Sequence, residues 1–276
     1  MKLGAPLSPA LRAIHWVPGL PHLLEPHLVG DHKVLHDGFA ALRASLKDQG
    51  VRRIVYYSTQ WLSVLGQSFQ ARSALRGLHV DENWHELADL PYDFVVDRPF
   101  AARMAKDVMA VGVPTQLVDY EGFPVDTGTI VADRLLNPDS LSVGMVSSWV
   151  YADAAQTRAI GAAVRRAIEG DATPTAVVAV SLLSSNFFTH EIDLREDRIR
   201  DRMDHEWNLR LLELWQSGDH EAARDAMPEF ARAAKAEFAL KAYAFCEGIA
   251  AGDWLRPARC HGYGALYGAG AAVLEF

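Results

Sequence analysis

Short apolar runs of strand length alternate along this chain with longer stretches of helical periodicity, and that alternation leaves few folds open. The runs are VRRIVYY (51–57), VPTQLVDY (113–120), LSVGMVSSW (141–149) and TAVVAVSLL (175–183). Between them, residues 36–48, 99–110 and 152–169 read as helices of a length that covers a sheet on the way to the next strand. The pattern predicts an α/β fold: a single layered domain over 1–276, with a central mixed sheet flanked by helices. Ile160, Val164 and Ile168 supply one apolar stripe, and DQG at 48–50 and AVG at 110–112 supply stop signals before two strands.

Beyond Asp193 the pattern turns mainly helical, over 199–216, 220–226 and 228–249. Phe230, Ala234, Phe238, Ala242, Phe245 and Ile249 fall on one face of the last segment, with Pro228 in its first turn. The tail HGYGALYGAGAAVLEF predicts a glycine-rich loop and then a terminal strand over 271–276.

With 276 residues, half of them hydrophobic, the chain can bury a large core. Its 35 acidic against 27 basic side chains give a net charge of −8, which argues against nucleic acid as a partner. No apolar run approaches the roughly 20 residues that span a membrane. The first residues carry Arg12, His15 and several prolines rather than an export pattern. Cys246 and Cys260 allow at most one disulfide and no Cys-x-x-Cys site, so a cytoplasmic setting is expected.

Histidine is abundant: His15, His22, His27, His32 and His36 come early, and His79 and His85 lie in GLHVDENWHEL. Metal binding needs these side chains to converge, and the plainer reading of HVDENWHEL is loop anchoring or a partner surface. In EGFPVDTGTI (121–130), Asp126, Thr127 and Thr129 can polarise a ligand at a sheet end, but neither a dinucleotide nor a phosphate loop is formed. Ser184 and Ser185 follow a strand without a nucleophile-elbow motif. Glu237 stands four residues before Lys241, the spacing of an exposed helical ion pair. The mixed charges of 190–208 read as a solvated helix face, and Cys246 as a buried thiol.

Five ordered segments together carry a resemblance: YYSTQW (56–61), HVDENWHELADLPYDF (79–94), GFPVDTGTI (122–130), EIDLREDRI (191–199) and HGYGALYGAGAAVLEF (261–276). They resemble the class III extradiol ring-cleavage dioxygenases and, within that family, the alpha subunits of two-subunit 2-aminophenol 1,6-dioxygenases. The resemblance implies ferrous iron held by two histidines and a glutamate, with further histidines that orient substrate or move protons. At the ligand positions this chain has Gly19 (in VPGLPH, with His22 shifted), Gln60 (in STQW) and Glu237. At the two other histidine positions it has Thr127 and Ser185.

The resemblance therefore implies a degenerate, noncatalytic subunit with no metal of its own. Its partner would be a catalytic Fe(II) dioxygenase subunit acting on 2-aminophenol or catechol-type aromatics, in a heterodimer or heterotetramer. His22, His79, His85, Asp126, Thr129 and Glu237 would line a vestigial pocket, and Trp84, Trp149 and Tyr92 are candidate interface anchors. Two alternatives stand: an active metalloenzyme with relocated ligands drawn from His22, His79, His85 and Glu237, or a scaffold or small-molecule-binding protein.

Overall fold

The structure is a computed structural model and describes residues 8–87, 89–250 and 255–276. In chain order the elements are β1 (Leu11–Val17), α1 (Gly30–Asp48), β2 (Arg53–Ser63), β3 (Gln67–Gln70), β4 (Ala74–His79), β5 (Leu90–Val95), α2 (Arg98–Met109), β6 (Thr115–Val118), α3 (Thr127–Leu136), β7 (Ser142–Trp149), α4 (Ala154–Glu169), β8 (Thr175–Val180), α5 (Arg202–Ser217), α6 (His220–Ala233), α7 (Lys241–Ala250), β9 (Arg259–Leu266) and β10 (Ala269–Glu275).

Eight strands make one mixed sheet in the order β6-β3-β7-β2-β8-β1-β10-β9, and β4 and β5 pair as a separate antiparallel ribbon. β8 runs parallel to both β1 and β2, with Val178 opposite His15 and Tyr56, while β10 closes antiparallel onto β1. Every residue of β8 is buried, as its unbroken apolar run requires of a central strand covered on both sides.

Successive side chains on a strand face opposite ways, and here that separates two cores. Ile14, Trp16, Val55, Tyr57, Val177 and Ala179 pack with Ile160, Val164 and Ile168 of α4 and Phe245 of α7. Ala13, Val17, Ile54, Tyr56, Val178 and Val180 pack with Leu35, Phe39 and Leu42 of α1 and with Ile130 and Val131 of α3. Full burial of each such side chain contributes roughly 1.5–3 kcal/mol, so these two interfaces dominate the stability.

Local signals set the helix starts. Asp97 accepts from Phe100 N–H at α2, and Asp126 accepts from Thr129 N–H at α3. Asp153 and Gln156 form a reciprocal capping box at α4. Among the described residues, no helix is long and apolar enough to cross a membrane.

Two expectations for the C-terminal part are corrected. The glycine-rich tail is a β-hairpin, with β9 paired to β10 from Leu266↔Ala269 to Arg259↔Glu275. Its turn is made by Tyr267 and Gly268, both with positive φ. The helix read over 228–249 is broken: Pro228 lies inside α6, and the chain leaves helical geometry after Ala233. Phe238, Ala239 and Leu240 then adopt φ of 43°, 52° and 58° before α7 begins. The backbone there is committed elsewhere, because Ala236 bridges Ser184 and Glu237 N–H donates to Leu183 O at 3.1 Å. Those tertiary bonds override a helical periodicity that is sound on its own.

Candidate functional site

β1, β2 and β8 are mutually parallel, so their C-terminal ends reach one edge of the sheet, where α/β proteins place ligands. A cleft of about 690 Å3 opens at that edge. Leu20 follows β1, Thr59, Gln60, Trp61 and Leu62 end β2, and Leu182 follows β8. The start of α3 supplies Asp126 and Thr127, and the segment after β4 supplies Asp81, Glu82, Asn83 and Trp84. Trp61, Trp84, Phe123, Phe187 and Phe238 give the cleft aromatic walls.

His79, Asp81 and Glu82 bring one donor atom each to within 4.8 Å of one another, the group among the described residues that can hold a metal ion. The local fold explains the convergence. β4 ends at His79, and Asp81 reverses the chain by accepting from Asn83 N–H at 2.8 Å and Trp84 N–H at 3.0 Å. Asp81 is buried, His79 half-buried and Glu82 exposed, so the group runs from the cleft wall to solvent.

Thr127 prepares the imidazole. Its hydroxyl donates its one proton to Asp81 Oδ2 at 2.5 Å and lies 2.8 Å from His79 Nε2. With that proton spent, Nε2–H of His79 must be the donor in the second bond, so Nδ1 is the ring nitrogen that keeps a lone pair. One imidazole with two carboxylates is a donor set suited to Fe(II), Mn(II) or another oxygen-preferring divalent ion, so the residues fit such a group.

This cluster corrects three linked expectations. The chain was expected to hold no metal, with Fe(II) confined to a partner, yet it carries its own metal-competent group. The reading of a noncatalytic, degenerate subunit, built on that missing metal, falls with it. Of the four alternative ligands read from the sequence, His79 alone joins the cluster. His22 is buried against Trp84 and Tyr267, and its burial pulls its pKa down to about 4. His85 is largely exposed beside Glu86. Asp81 and Glu82 lie in HVDENWHEL, read above mainly as loop anchoring and not named among the ligands, although its His-x-Asp-Glu order carries the signal: a strand end followed by a side-chain-capped turn.

The positions assigned to inherited ligands are engaged otherwise. Gln60 Nε2 donates to Gly19 O at 2.9 Å, and Gln60 Oε1 accepts from Gly128 N–H at 2.8 Å. Backbone fills the space: a Cβ on Gly19 would lie 2.4 Å from Gly128 Cα. Glu237 does line the cleft, but it is buried and makes no ion pair with Lys241. Lys241 Nζ instead donates to the carbonyls of Trp149 and Val150, because the turn at 238–240 removes the helical spacing. Burial pushes the Glu237 carboxyl above the usual carboxylate range, opposed by bonds from Ser185 and from Thr59, whose Oγ1 donates at 3.3 Å.

The remaining candidates have partners within the protein or line the cleft. Asp126 Oδ1 accepts from Ser58 Oγ at 2.6 Å, and its Oδ2 accepts from Thr129 Oγ1 at 2.8 Å. Ser184 is buried and accepts from Asn208 Nδ2, and Ser185 N–H donates to Lys235 O at 2.9 Å. Cys246 is buried and its thiol pushed up by that burial, while Cys260 is half-buried; both are free. Trp84 belongs to the cleft, Trp149 Nε1 donates to Val64 O, and Tyr92 packs on Phe94.

Known proteins bear on this geometry. Residues 22–270 match the family described as the catalytic LigB subunit of aromatic ring-opening dioxygenase. The chain is 38% identical over 269 residues to the 2-aminophenol 1,6-dioxygenase alpha subunit of a Pseudomonas species, covering 94% of this chain and 96% of that protein. It is 25% identical over 280 residues to the beta subunit of 2-aminophenol 1,6-dioxygenase, also of a Pseudomonas species, covering 94% and 91%. A 22% identity over 199 residues links it to 3,4-dihydroxyphenylacetate 2,3-dioxygenase of Escherichia coli, covering 71% and 72%. The crystal structure of an uncharacterized protein from Escherichia coli K12 superposes with a TM-score of 0.62 at 13% identity, over 96% of this chain and 99% of that one, which speaks for the fold alone. Fold, cleft and sequence agree, and the chain belongs to the LigB-type, class III extradiol family of aromatic ring-opening dioxygenases.

Proposed function

We propose that this chain is a metal-dependent ring-opening enzyme whose cation ligands are His79, Asp81 and Glu82, relocated from the positions that the family resemblance assigns. The observation that carries the reading is the approach of those three donors to within 4.8 Å on the wall of an aromatic-lined cleft. Support for the substrate class comes from the relatives' names: 2-aminophenol and 3,4-dihydroxyphenylacetate are single aromatic rings with adjacent polar substituents. A divalent ion held there supplies positive charge that attracts such a pair of substituents and lowers their pKa.

The side chains have distinct tasks in this reading. Thr127 fixes the His79 tautomer through Nε2 and steadies Asp81. Trp61, Trp84 and Phe123 shield the ring from water. Glu237, its carboxyl pushed up by burial, places a hydrogen-bonding group on the cleft lining for a ring substituent. Relatives named as alpha and beta subunits of one enzyme type each align with 94% of this chain, which supports assembly with a second chain of the same family.

The test is turnover by the chain loaded anaerobically with Fe(II), given 2-aminophenol or catechol and oxygen, alone and with a coexpressed family partner. Loss of ring absorbance that H79A abolishes supports the reading. Absence of turnover in both settings, or turnover that H79A leaves intact, overturns it.

A further inference from the structure

We propose that Phe238, held over the cleft by a left-handed turn, is the residue by which this site tells an aromatic ring from a saturated one; the inference rests on reading the cleft as a ring-binding site. Phe238, Ala239 and Leu240 all have left-handed φ, and none of them is glycine. L residues avoid this conformation and keep it only where the surroundings impose it. Here both ends of the turn are fixed: Glu237 is buried and its N–H donates to Leu183 O, and Leu240 is 1% exposed.

Between those anchors Phe238 is 40% exposed and lines the cleft. A large apolar side chain left this open gains less for the fold than a buried one would. The other wall aromatics are already paired edge to face, Trp61 with Phe123 at 5.9 Å and Trp84 with Phe187 at 5.7 Å. Phe238 has no ring partner among the described residues, so its own ring is open to a ligand. A ring–ring contact depends on the ligand's π system, and a saturated ring of the same outline cannot make it.

The experiment compares 2-aminophenol with 2-aminocyclohexanol, which keeps the amino and hydroxyl groups, loses the aromatic ring and carries a protonated amine at neutral pH, so each ligand's affinity is read across the variants rather than against the other ligand. Binding to the full chain is measured by calorimetry, once metal-loaded and once treated with EDTA, for wild type, F238A and F238Y. The expected result is a 2-aminophenol affinity that falls roughly 2- to 10-fold in F238A, is kept in F238Y, and leaves 2-aminocyclohexanol unaffected. Equal loss for both ligands or no loss in F238A overturns the proposal. A chain that binds no metal yet keeps the Phe238 dependence of 2-aminophenol binding retires the metal reading and supports this one. A chain that binds metal at His79 and shows no such dependence retires this inference alone.

Discussion

Gln60 ties down Gly19: its side-chain amide donates to the Gly19 carbonyl at 2.9 Å and at its other end accepts from Gly128 N–H at 2.8 Å. Two positions that the resemblance assigns to imidazole ligands are therefore bound to each other. Glycine at 19 is required by packing, since a Cβ there meets the Gly128 backbone. The double variant G19H/Q60H is expected to add no bound metal. It should also lose stability, because each partially buried backbone group left unpaired costs roughly 1–3 kcal/mol. Denaturant unfolding and metal analysis check this, and extra metal at undiminished stability would count against it.

Thr127→Val removes the hydroxyl that joins Asp81 to His79. With the imidazole tautomer no longer fixed, metal affinity is expected to fall about 10- to 100-fold while the fold is kept. Competition against a chelator of known affinity measures it. An unchanged affinity would show that His79 does not bind through Nδ1.

Asp133 lies beneath the sheet, where its Oδ1 accepts from Tyr56 OH at 3.0 Å and from Asn137 Nδ2 at 2.9 Å. Burial raises its pKa from 3.8 to about 6, against those two bonds. A raised folded pKa means stability that is fully present below the unfolded value and lost as pH climbs through the folded one. D133N, whose amide oxygen can accept both bonds, is expected to gain on wild type by roughly 2 kcal/mol between pH 4 and pH 7. Parallel stability curves for the two proteins would refute the assignment.

Ala239 is exposed at φ 52°, where its methyl adds strain and little packing. A left-handed L residue costs roughly 1–2 kcal/mol, part of which glycine returns as unfolded-chain entropy. A239G is expected to be more stable by about 0.5–1 kcal/mol in denaturant unfolding. A loss of stability would mean that the turn is not strained.

The layered fold was legible because its strongest signals are local. The run at 175–183 became β8, and the stripe Ile160, Val164 and Ile168 became the buried face of α4. β1 was missed because Arg12 and His15 interrupt its alternation, although His15 is fully buried. β3 and β4 are short and polar, so nothing in QSFQ or ALRGLH marks a strand before its neighbours are known. The site was half legible. His79 stood out as a histidine, but Asp81 and Glu82 looked like ordinary loop carboxylates. What joins them is a turn closed by Asp81 and a Thr127 hydroxyl from 46 residues further on. Histidine count misled, since His22 and His85 do not reach the cluster.

A cation site at the end of β4, rather than at the inherited positions, shows in the metal content of single variants. Wild type, H79A, D81N and E237Q are loaded with Fe(II) or Mn(II) under anaerobic conditions, desalted and assayed for metal per chain, with circular dichroism to confirm folding. Stoichiometric metal is expected in wild type and E237Q, and its loss in H79A and D81N. Metal that persists in H79A and D81N but disappears in E237Q would contradict this placement and return the site to its inherited position.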